Sequence, residues 1–149
     1  MRILLIQNET VDLYAELVAS ETSRTILRFY RPGRVHCGVV VTTASLGSAL
    51  SLISELRWYI RRYVREVLFE IAPGVYCTQA LAEGVYHRDV KLETPWPRRL
   101  LYEIVNGRLA RTLPMEAGTE VSDYAVGIAD ASHMIEVWDV PEEAAPRRC

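Results

Sequence analysis

The segment "VHCGVVVTTASLGSALSLISELRWYIRRYVRE", residues 35–66, decides how the fold is predicted. It carries no Asp, Glu, Lys or Arg over residues 35–54, and an apolar stretch of about 20 residues is long enough to span a membrane. However, the β-branched block "VVVTT" and the serines and glycines after it are typical of a buried strand that leads into a helix. We therefore predict a strand over residues 35–42, a long helix over residues 46–68, and no membrane span.

The apolar residues of the predicted helix fall on one face. Plotted at 100° per residue, they occupy an arc about half the circumference wide, so this face is expected to pack on a sheet. The opposite face begins with serines and ends with arginines. We define the Trp58 surface as the aromatic residue on this outer face together with the three arginines around it: Trp58, Arg61, Arg62 and Arg65.

Three interpretations of the Trp58 surface follow from its residue types. Arginines interleaved with an aromatic side chain suit phosphate contact and base stacking, as in RNA binding. Trp and Arg are also the residues most enriched at hot spots of protein–protein interfaces. Alternatively, residues 92–99 or the acidic C-terminal segment cover Trp58, and Glu116, Glu120 or Asp123 neutralise the arginines. We predict a protein partner in preference to nucleic acid.

The turn "TTASLGSAL", residues 42–50, offers a different chemistry at the start of the same helix. Free backbone N–H groups, hydroxyls and the positive end of the helix dipole can together hold an anion. The candidate anion-binding residues are Thr43, Ser45, Gly47 and Ser48. The turn matches neither the dinucleotide nor the P-loop glycine pattern, so no cofactor is predicted. The alternative is that Ser45 is a plain N-cap and that Gly47 permits close packing.

The chain before residue 35 predicts a strand and a helical region. "MRILLIQNET" at the start lacks the features of a secretory signal, and residues 2–6 read as a buried strand. Side-chain oxygens at residues 8–12 can cap a helical region that continues to Tyr30, and "SETS" at 20–23 can divide it. "RPGR" at 31–34 then forms a turn.

The chain after residue 68 predicts a helix, a hairpin and a final strand. A second helix is expected over residues 75–87, and "ETPWPRR" must be extended because it contains two closely spaced prolines. "RLLYEIVNGRLARTL", residues 99–113, predicts a hairpin with a type I′ turn at Asn106-Gly107. "HMIEVWDV", residues 133–140, supplies the last strand.

These elements predict an α/β (α+β) fold. A chain of 149 residues is expected to form one domain, here residues 1–140, with residues 141–149 as a flexible C-terminal tail. The initial strand–helix–strand unit implies parallel strands joined by a right-handed crossover, and the hairpin adds antiparallel strands. We therefore expect a two-layer sandwich: a mixed sheet of about five strands, with helices mainly on one face.

Charge is distributed unevenly along the chain. The formal net charge is −2, and 16 of the 17 basic residues are arginines. Residues 1–113 hold 15 basic and 11 acidic groups, whereas residues 114–149 hold 2 basic and 8 acidic groups, which gives +4 and −6. The acidic segment can therefore sit on a basic face of the rest, or compete there with an anionic partner.

Cysteine and histidine usage predicts neither a disulfide framework nor a metal. Three scattered cysteines favour a reducing compartment, so we expect a cytoplasmic protein. The three histidines share no zinc-like spacing with them. These residues are Cys37, Cys77, Cys149, His36, His87 and His133.

No catalytic residues are predicted. Asp123, Asp130 and His133 can converge as an acid–base group. Capping and turn roles are favoured for the two aspartates, and a single His before a strand is typical of a surface position. We therefore favour a protein that is not an enzyme.

Three segments resemble a known family. "VDLYAELVASETSRTIL" (11–27), "TTASLGSALSLISELRWYIRRYV" (42–64) and "DYAVGIADASHMIEV" (123–137) look like an uncharacterised family of small proteins from halophilic and methanogenic archaea. The resemblance runs from the first strand to about Val140, and residues 70–100 depart from it most. It implies an archaeal, cytoplasmic protein and transfers no functional residue.

The function predicted from the sequence is a non-enzymatic cytoplasmic binding or adaptor module that uses the Trp58 surface. One alternative is a small enzyme or anionic-ligand sensor that uses residues 42–48 with Asp130 or His133. A second alternative is an RNA-binding protein. Homo-oligomerisation is compatible with all three, and no membrane partner is expected.

Overall fold

The computed structural model describes residues 1–124 and 132–141. In these ranges the chain forms eight strands, five α-helices and one short 3-10 helix. The elements in order are β1 (Arg2–Gln7), α1 (Leu13–Ala19), α2 (Glu21–Leu27), β2 (Gly33–Val35), β3 (Gly38–Thr42), α3 (Leu46–Glu55), α4 (Arg57–Tyr63), β4 (Val64–Ala72), β5 (Val75–Thr78), α5 (Gln79–Tyr86), β6 (Arg99–Val105), β7 (Arg108–Pro114), the 3-10 helix (Val121–Tyr124) and β8 (Ser132–Trp138).

All eight strands belong to one open sheet with the order β2-β3-β1-β4-β5-β8-β6-β7. The α+β class and the mixed sheet are confirmed, because β5 and β8 pair in parallel while the other described pairs are antiparallel. The predicted count of about five strands is wrong. The predicted parallel unit at the start is also wrong, because β1 and β3 pair antiparallel, with Ile3 opposite Val41.

The predicted long helix over residues 46–68 is the main error behind the strand count. Helix α3 ends at Glu55, Leu56 leaves helical geometry with φ −90° and ψ 4°, and α4 ends at Tyr63. From Val64 the chain is strand β4, in which Leu68 lies opposite Leu4 of β1. Pairing with a buried central strand has therefore overridden the local helical pattern.

Two further strands were missed for local reasons. The predicted strand over residues 35–42 begins only at Gly38, as β3, because His36 and Cys37 form a turn. The predicted turn at 31–34 is wrong in its second half, because Gly33–Val35 forms β2 and pairs with β3. The predicted second helix begins later than expected, because Val75–Thr78 forms β5 and Thr78 caps α5 by accepting from the Leu81 N–H.

Several local predictions are confirmed by capping and turn geometry. The Asp12 side chain accepts from the Ala15 N–H and starts α1, and Ser20 ends α1 and caps α2. Asn106 and Gly107 have φ values of 51° and 77°, the positive pair that a type I′ turn requires. Strand β8 confirms the last predicted strand.

The sheet buries a different set of residues on each face. The buried apolar side chains of all five described helices belong to one core, which also contains Ile3, Leu5 and Phe69 of the sheet, so the predicted placement of helices on one face is confirmed. On the other face the sheet curls over itself, because Leu4 and Leu68 pack with side chains of β6, β7 and β8. No helix in the described ranges is long and apolar enough to cross a membrane. Residues 142–149 of the predicted tail lie outside the described residues.

Candidate functional site

Helix α4 holds Trp58 at the surface. Tyr59 faces the core, and its hydroxyl oxygen lies 2.7 Å from Ser20 Oγ at the junction of α1 and α2. At the other end of α4, Asn8 donates from its backbone N–H to the Tyr63 carbonyl at 2.9 Å and from Nδ2 to the Arg62 carbonyl at 3.3 Å. These contacts fix the rotation of the helix, and Trp58 is left 53% exposed.

Three neighbours hold the Trp58 ring. The Arg62 guanidinium lies over it, 4.3 Å from the ring centroid. Tyr59 and Tyr63 lie edge-on to it, with centroid separations of 4.9 and 6.4 Å. Edge-to-face and cation–π contacts of this kind orient an aromatic ring without covering it. Trp58 is therefore an ordered, exposed side chain.

The arginines around Trp58 are exposed as well. Arg61 and Arg62 lie on α4, whereas Arg65 lies on β4, beside Glu66. Within residues 1–124 and 132–141, none of the three forms an ion pair with a carboxylate. Trp58, Arg61 and Arg62 therefore share helix α4, with Arg62 over the ring, whereas Arg65 lies at the start of β4. The four residues of the Trp58 surface thus come from a helix and a strand rather than from one helix.

The described parts of the segments that were expected to cover this surface make their contacts elsewhere. Trp96 of the 92–99 segment is buried and stacks on Trp138, with a centroid separation of 5.5 Å. The Glu116 carbonyl accepts from Arg99, and the Asp123 carboxylate accepts from the Glu120 N–H. In the described ranges these groups therefore do not neutralise the arginines of the Trp58 surface.

Arg34 and Arg108 are far apart in the sequence, but both lie near Asp12, which follows the end of β1. Arg34 Nη1 lies 2.7 Å from each carboxylate oxygen of Asp12, and its guanidinium lies 4.9 Å from the Tyr14 ring centroid. Hydrogen bonds from Arg34 and from the Ala15 N–H hold the pKa of Asp12 below its ordinary value, and the charge of Arg108 adds a smaller effect. Sequence reasoning missed both arginines because only tertiary pairing brings them here.

Gln7 joins the elements at this end. Its Nε2 donates to the carbonyl oxygens of Gly107 at 3.2 Å and His36 at 3.5 Å, and its Oε1 accepts from the Leu13 N–H at 3.1 Å. The side chain is buried. One amide therefore connects the β6–β7 turn, the β2–β3 turn and the start of α1.

The predicted anion-binding turn bonds mainly to itself. Ser45 Oγ accepts from the Ser48 N–H at 3.1 Å, and Ser48 Oγ accepts from the Ser45 N–H at 3.0 Å, which is a capping box. Thr43 is buried and donates to the Ser45 carbonyl. A Cβ at Gly47 would lie 3.1 Å from Tyr86. The geometry matches the capping alternative, and anion binding stays a prediction.

The remaining candidates for chemistry are dispersed. Asp130 lies outside the described residues, and His133 is exposed on β8. The Asp123 carboxylate accepts from the Glu120 N–H at the start of the 3-10 helix. Burial raises the pKa of the Cys77 thiol to about 12 and raises that of Cys37 above its ordinary value, so neither thiol is a nucleophile at neutral pH. No cluster of three metal-ligating side chains occurs in the described ranges.

Sequence reasoning also missed two cavities. An apolar one of about 190 Å³ lies between α5 and the sheet and is lined by Leu46, Phe69, Cys77 and Leu92 among others. A second, of about 360 Å³, lies beside the stacked Trp96 and Trp138. Each combines residues from several elements, so no local pattern indicates it.

Comparison with known proteins identifies a family but no activity. The model of a family of unknown function, DUF5804, matches residues 1–103, a range that contains the whole Trp58 surface and Gln7. No curated protein and no solved structure matches the chain. The predicted resemblance extended to about Val140, and its archaeal distribution stays a prediction. Because the match covers more than half of its 149 residues, the chain belongs to the DUF5804 family, a family of unknown function.

Proposed function

We propose that the protein is a non-enzymatic cytoplasmic binding or adaptor module whose Trp58 surface docks a protein partner. The observation that carries the proposal is the exposure of Trp58, 53%, under the Arg62 guanidinium and on the same helix as the exposed Arg61. Large aromatic side chains are usually covered in a monomer, and Trp and Arg dominate the hot spots of interfaces.

The energetics favour covering this residue. A Trp side chain buries on the order of 200 Å² or more when it is fully covered, and apolar burial contributes about 25 cal/mol per Å². Covering the exposed half of Trp58 is therefore worth about 2–3 kcal/mol to a partner. The ring is already oriented by Arg62, Tyr59 and Tyr63, so little side-chain entropy is lost on binding.

A protein partner suits the ring environment better than a nucleic acid. A base that stacks on the Trp58 face beneath Arg62 must first displace the guanidinium. Base stacking on free aromatic faces is the main sequence-independent contact of single-stranded nucleic-acid binders. The net charge of −2 is also unlike the basic composition of such proteins.

The proposed compartment is the archaeal cytoplasm. Two buried free thiols, Cys37 and Cys77, support a reducing environment, and the family resemblance supports the archaeal origin. A second copy of the same chain is one candidate partner. Light scattering of the purified protein over a range of concentrations distinguishes such self-association from binding to another protein.

The test is affinity capture with matched variants. Immobilised wild-type protein, Trp58→Ala and Arg62→Ala are exposed to nuclease-treated extract of the source organism, and the retained proteins are quantified. Arg28→Ala is the control, because Arg28 also lies over an exposed ring, that of Phe29, outside the Trp58 surface. We expect at least one protein to be retained by wild type and by the control but lost from both Trp58-surface variants. A retained set that is the same for all four proteins contradicts the proposal.

A further inference from the structure

The described part of the chain contains three arginines whose guanidinium groups lie over aromatic rings. Arg34 lies 4.9 Å from the Tyr14 centroid, Arg62 lies 4.3 Å from the Trp58 centroid, and Arg28 lies over Phe29. A guanidinium stacked on a ring has a fixed plane, so its N–H donors point outward along its edge. Such an edge is preorganised for a planar anion.

One of these pairs shows which anion fits. Both oxygens of the Asp12 carboxylate lie 2.7 Å from Nη1 of the stacked Arg34, and the two side chains are 50% and 54% exposed. The chain thus already contains a carboxylate seated on a ring-stacked guanidinium at its surface. The Arg62–Trp58 pair repeats the guanidinium–ring arrangement, and no carboxylate in the described ranges lies within ion-pair distance of Arg62.

We propose that the Trp58 surface binds an acidic segment of its protein partner, with an Asp or Glu carboxylate of that segment seated on the edge of Arg62 and an apolar neighbour covering Trp58. This inference rests on the proposed function and names the chemistry of the partner. It is supported by charge complementarity, since Arg61, which is exposed, lies three residues from Trp58 on the same helix, and Arg65, also exposed, follows at the start of β4.

The surface for such a segment continues beyond Trp58. Asn8 donates to the carbonyl of Arg62, and the preceding residue, Gln7, donates to the carbonyl of Gly107, next to Arg108. The backbone at Arg62 is therefore tied through residues 7–8 to the backbone at Arg108. An extended acidic segment that leaves Trp58 in this direction is expected to meet Arg108 as a further cation.

The indole N–H signals of the three tryptophans provide a specific readout. Trp96 Nε1 donates to the Asp139 carbonyl at 2.8 Å, and Trp138 Nε1 donates to Glu136 at 2.7 Å, so both are engaged inside the protein. Trp58 Nε1 has no acceptor in the described ranges, and its signal is assigned with Trp58→Phe. A short oligoglutamate peptide is titrated into labelled full-length protein, with oligoglutamine of equal length and oligouridylate of equal charge as comparison probes.

We expect oligoglutamate to shift the Trp58 indole signal and to leave those of Trp96 and Trp138 unchanged. Arg62→Lys is expected to weaken this binding about tenfold, because an ammonium lacks the planar fork that matches a carboxylate. Arg28→Lys is the matched control and is expected to leave the affinity unchanged. Unchanged Trp96 and Trp138 signals in each variant establish that it is folded.

Three results with the peptide probes overturn the inference. These are no shift of the Trp58 signal with oligoglutamate, an equal shift with oligoglutamine, or an affinity that Arg62→Lys does not change. A stronger Arg62-dependent response to oligouridylate also overturns it and identifies a nucleic-acid surface instead. If capture from extract depends on Trp58 while oligoglutamate does not bind, the carboxylate chemistry is wrong and the proposed function stands.

Discussion

The side-chain amide of Gln7 donates a hydrogen bond to the carbonyl oxygen of Gly107, 3.2 Å away and 100 residues further along the chain. Gln7 ends β1, and Gly107 lies in the β6–β7 turn, near opposite edges of the sheet order. The contact exists because the sheet curls until β7 meets β1. The contact therefore depends on the packing of β6, β7 and β8 against Leu4 and Leu68, on the face of the sheet away from the helices.

Gln7→Leu is expected to destabilise the fold by about 2–4 kcal/mol. The substitution removes the bonds to Gly107, His36 and the Leu13 N–H, and it leaves buried polar groups unsatisfied, at a cost of about 1–3 kcal/mol each. Urea unfolding measures the change. Gln79→Leu is the control, since the Gln79 side chain donates to Glu83 on the same helix, and the substitution should change stability by less than about 0.5 kcal/mol. Equal effects of the two substitutions would show that Gln7 does not secure the closure.

Gly107→Ala is expected to cost more than Gly74→Ala, although both glycines lie in hairpin turns with nearly the same φ, 77° and 76°. Both variants bear the strain of a left-handed residue, about 1 kcal/mol. At Gly107 a Cβ would also lie 2.7 Å from the His36 carbonyl oxygen, whereas at Gly74 it meets nothing within 4 Å. The difference between the two variants in thermal unfolding measures the cost of the contact with the His36 carbonyl oxygen. We expect this contact to add about 1–3 kcal/mol to the loss at Gly107. Equal losses would place the β2–β3 turn further from the hairpin.

How far the sequence determines this fold depends on whether the signal is local. Asn106-Gly107 and the caps at Asp12 and Ser20 were predictable because each is decided by a few adjacent residues. Strand β4 was not predictable in this way, because Val64, Val67 and Leu68 suit a helix face as well as a strand. What decides between them is the register with β1, which adjacent residues do not encode.

The same distinction applies to the candidate site. Trp58, Arg61 and Arg62 were predictable because they share one face of a real helix, α4. Arg65 was grouped with them on helical spacing, yet it is exposed at the start of a strand. Arg34 and Arg108 reach this end of the sheet only through strand pairing, so no spacing rule finds them.

Glu66→Gln is expected to change how stability depends on pH. Burial raises the pKa of Glu66 above its ordinary 4.5, opposed by the hydrogen bond that its Oε1 accepts from the Tyr102 hydroxyl at 3.3 Å and by the charge of Arg65. A carboxyl with a raised pKa in the folded state binds its proton more tightly there than when unfolded. Its contribution is therefore fully favourable below pH 4.5 and falls as pH rises through the folded pKa.

The glutamine side chain stays neutral and still accepts a hydrogen bond from Tyr102. The stability contribution at residue 66 therefore does not decrease with rising pH in the variant. The difference in the free energy of unfolding, variant minus wild type, should increase with pH above 4.5 and then level off. Glu9→Gln, which removes a carboxylate at an exposed position, is the control. Urea unfolding at a series of pH values measures both curves. A flat curve for Glu66→Gln would mean that Glu66 is solvated in the folded protein.

Ser45→Ala tests whether the start of α3 is a cap or an anion site. Loss of the capping box should destabilise the protein by about 1 kcal/mol, whereas Ser51→Ala, on the exposed face of the same helix, should have an effect of less than about 0.5 kcal/mol. If the turn only caps the helix, added phosphate will stabilise wild type and Ser45→Ala equally, because its general salting-out effect does not depend on residue 45. An anion site predicts a larger phosphate-dependent rise in Tm for wild type than for the variant, by the mass action of a specific ligand. Since the side chains of Ser45 and Ser48 already accept hydrogen bonds from each other's backbone N–H groups, we expect equal rises in Tm for wild type and variant at matched ionic strength.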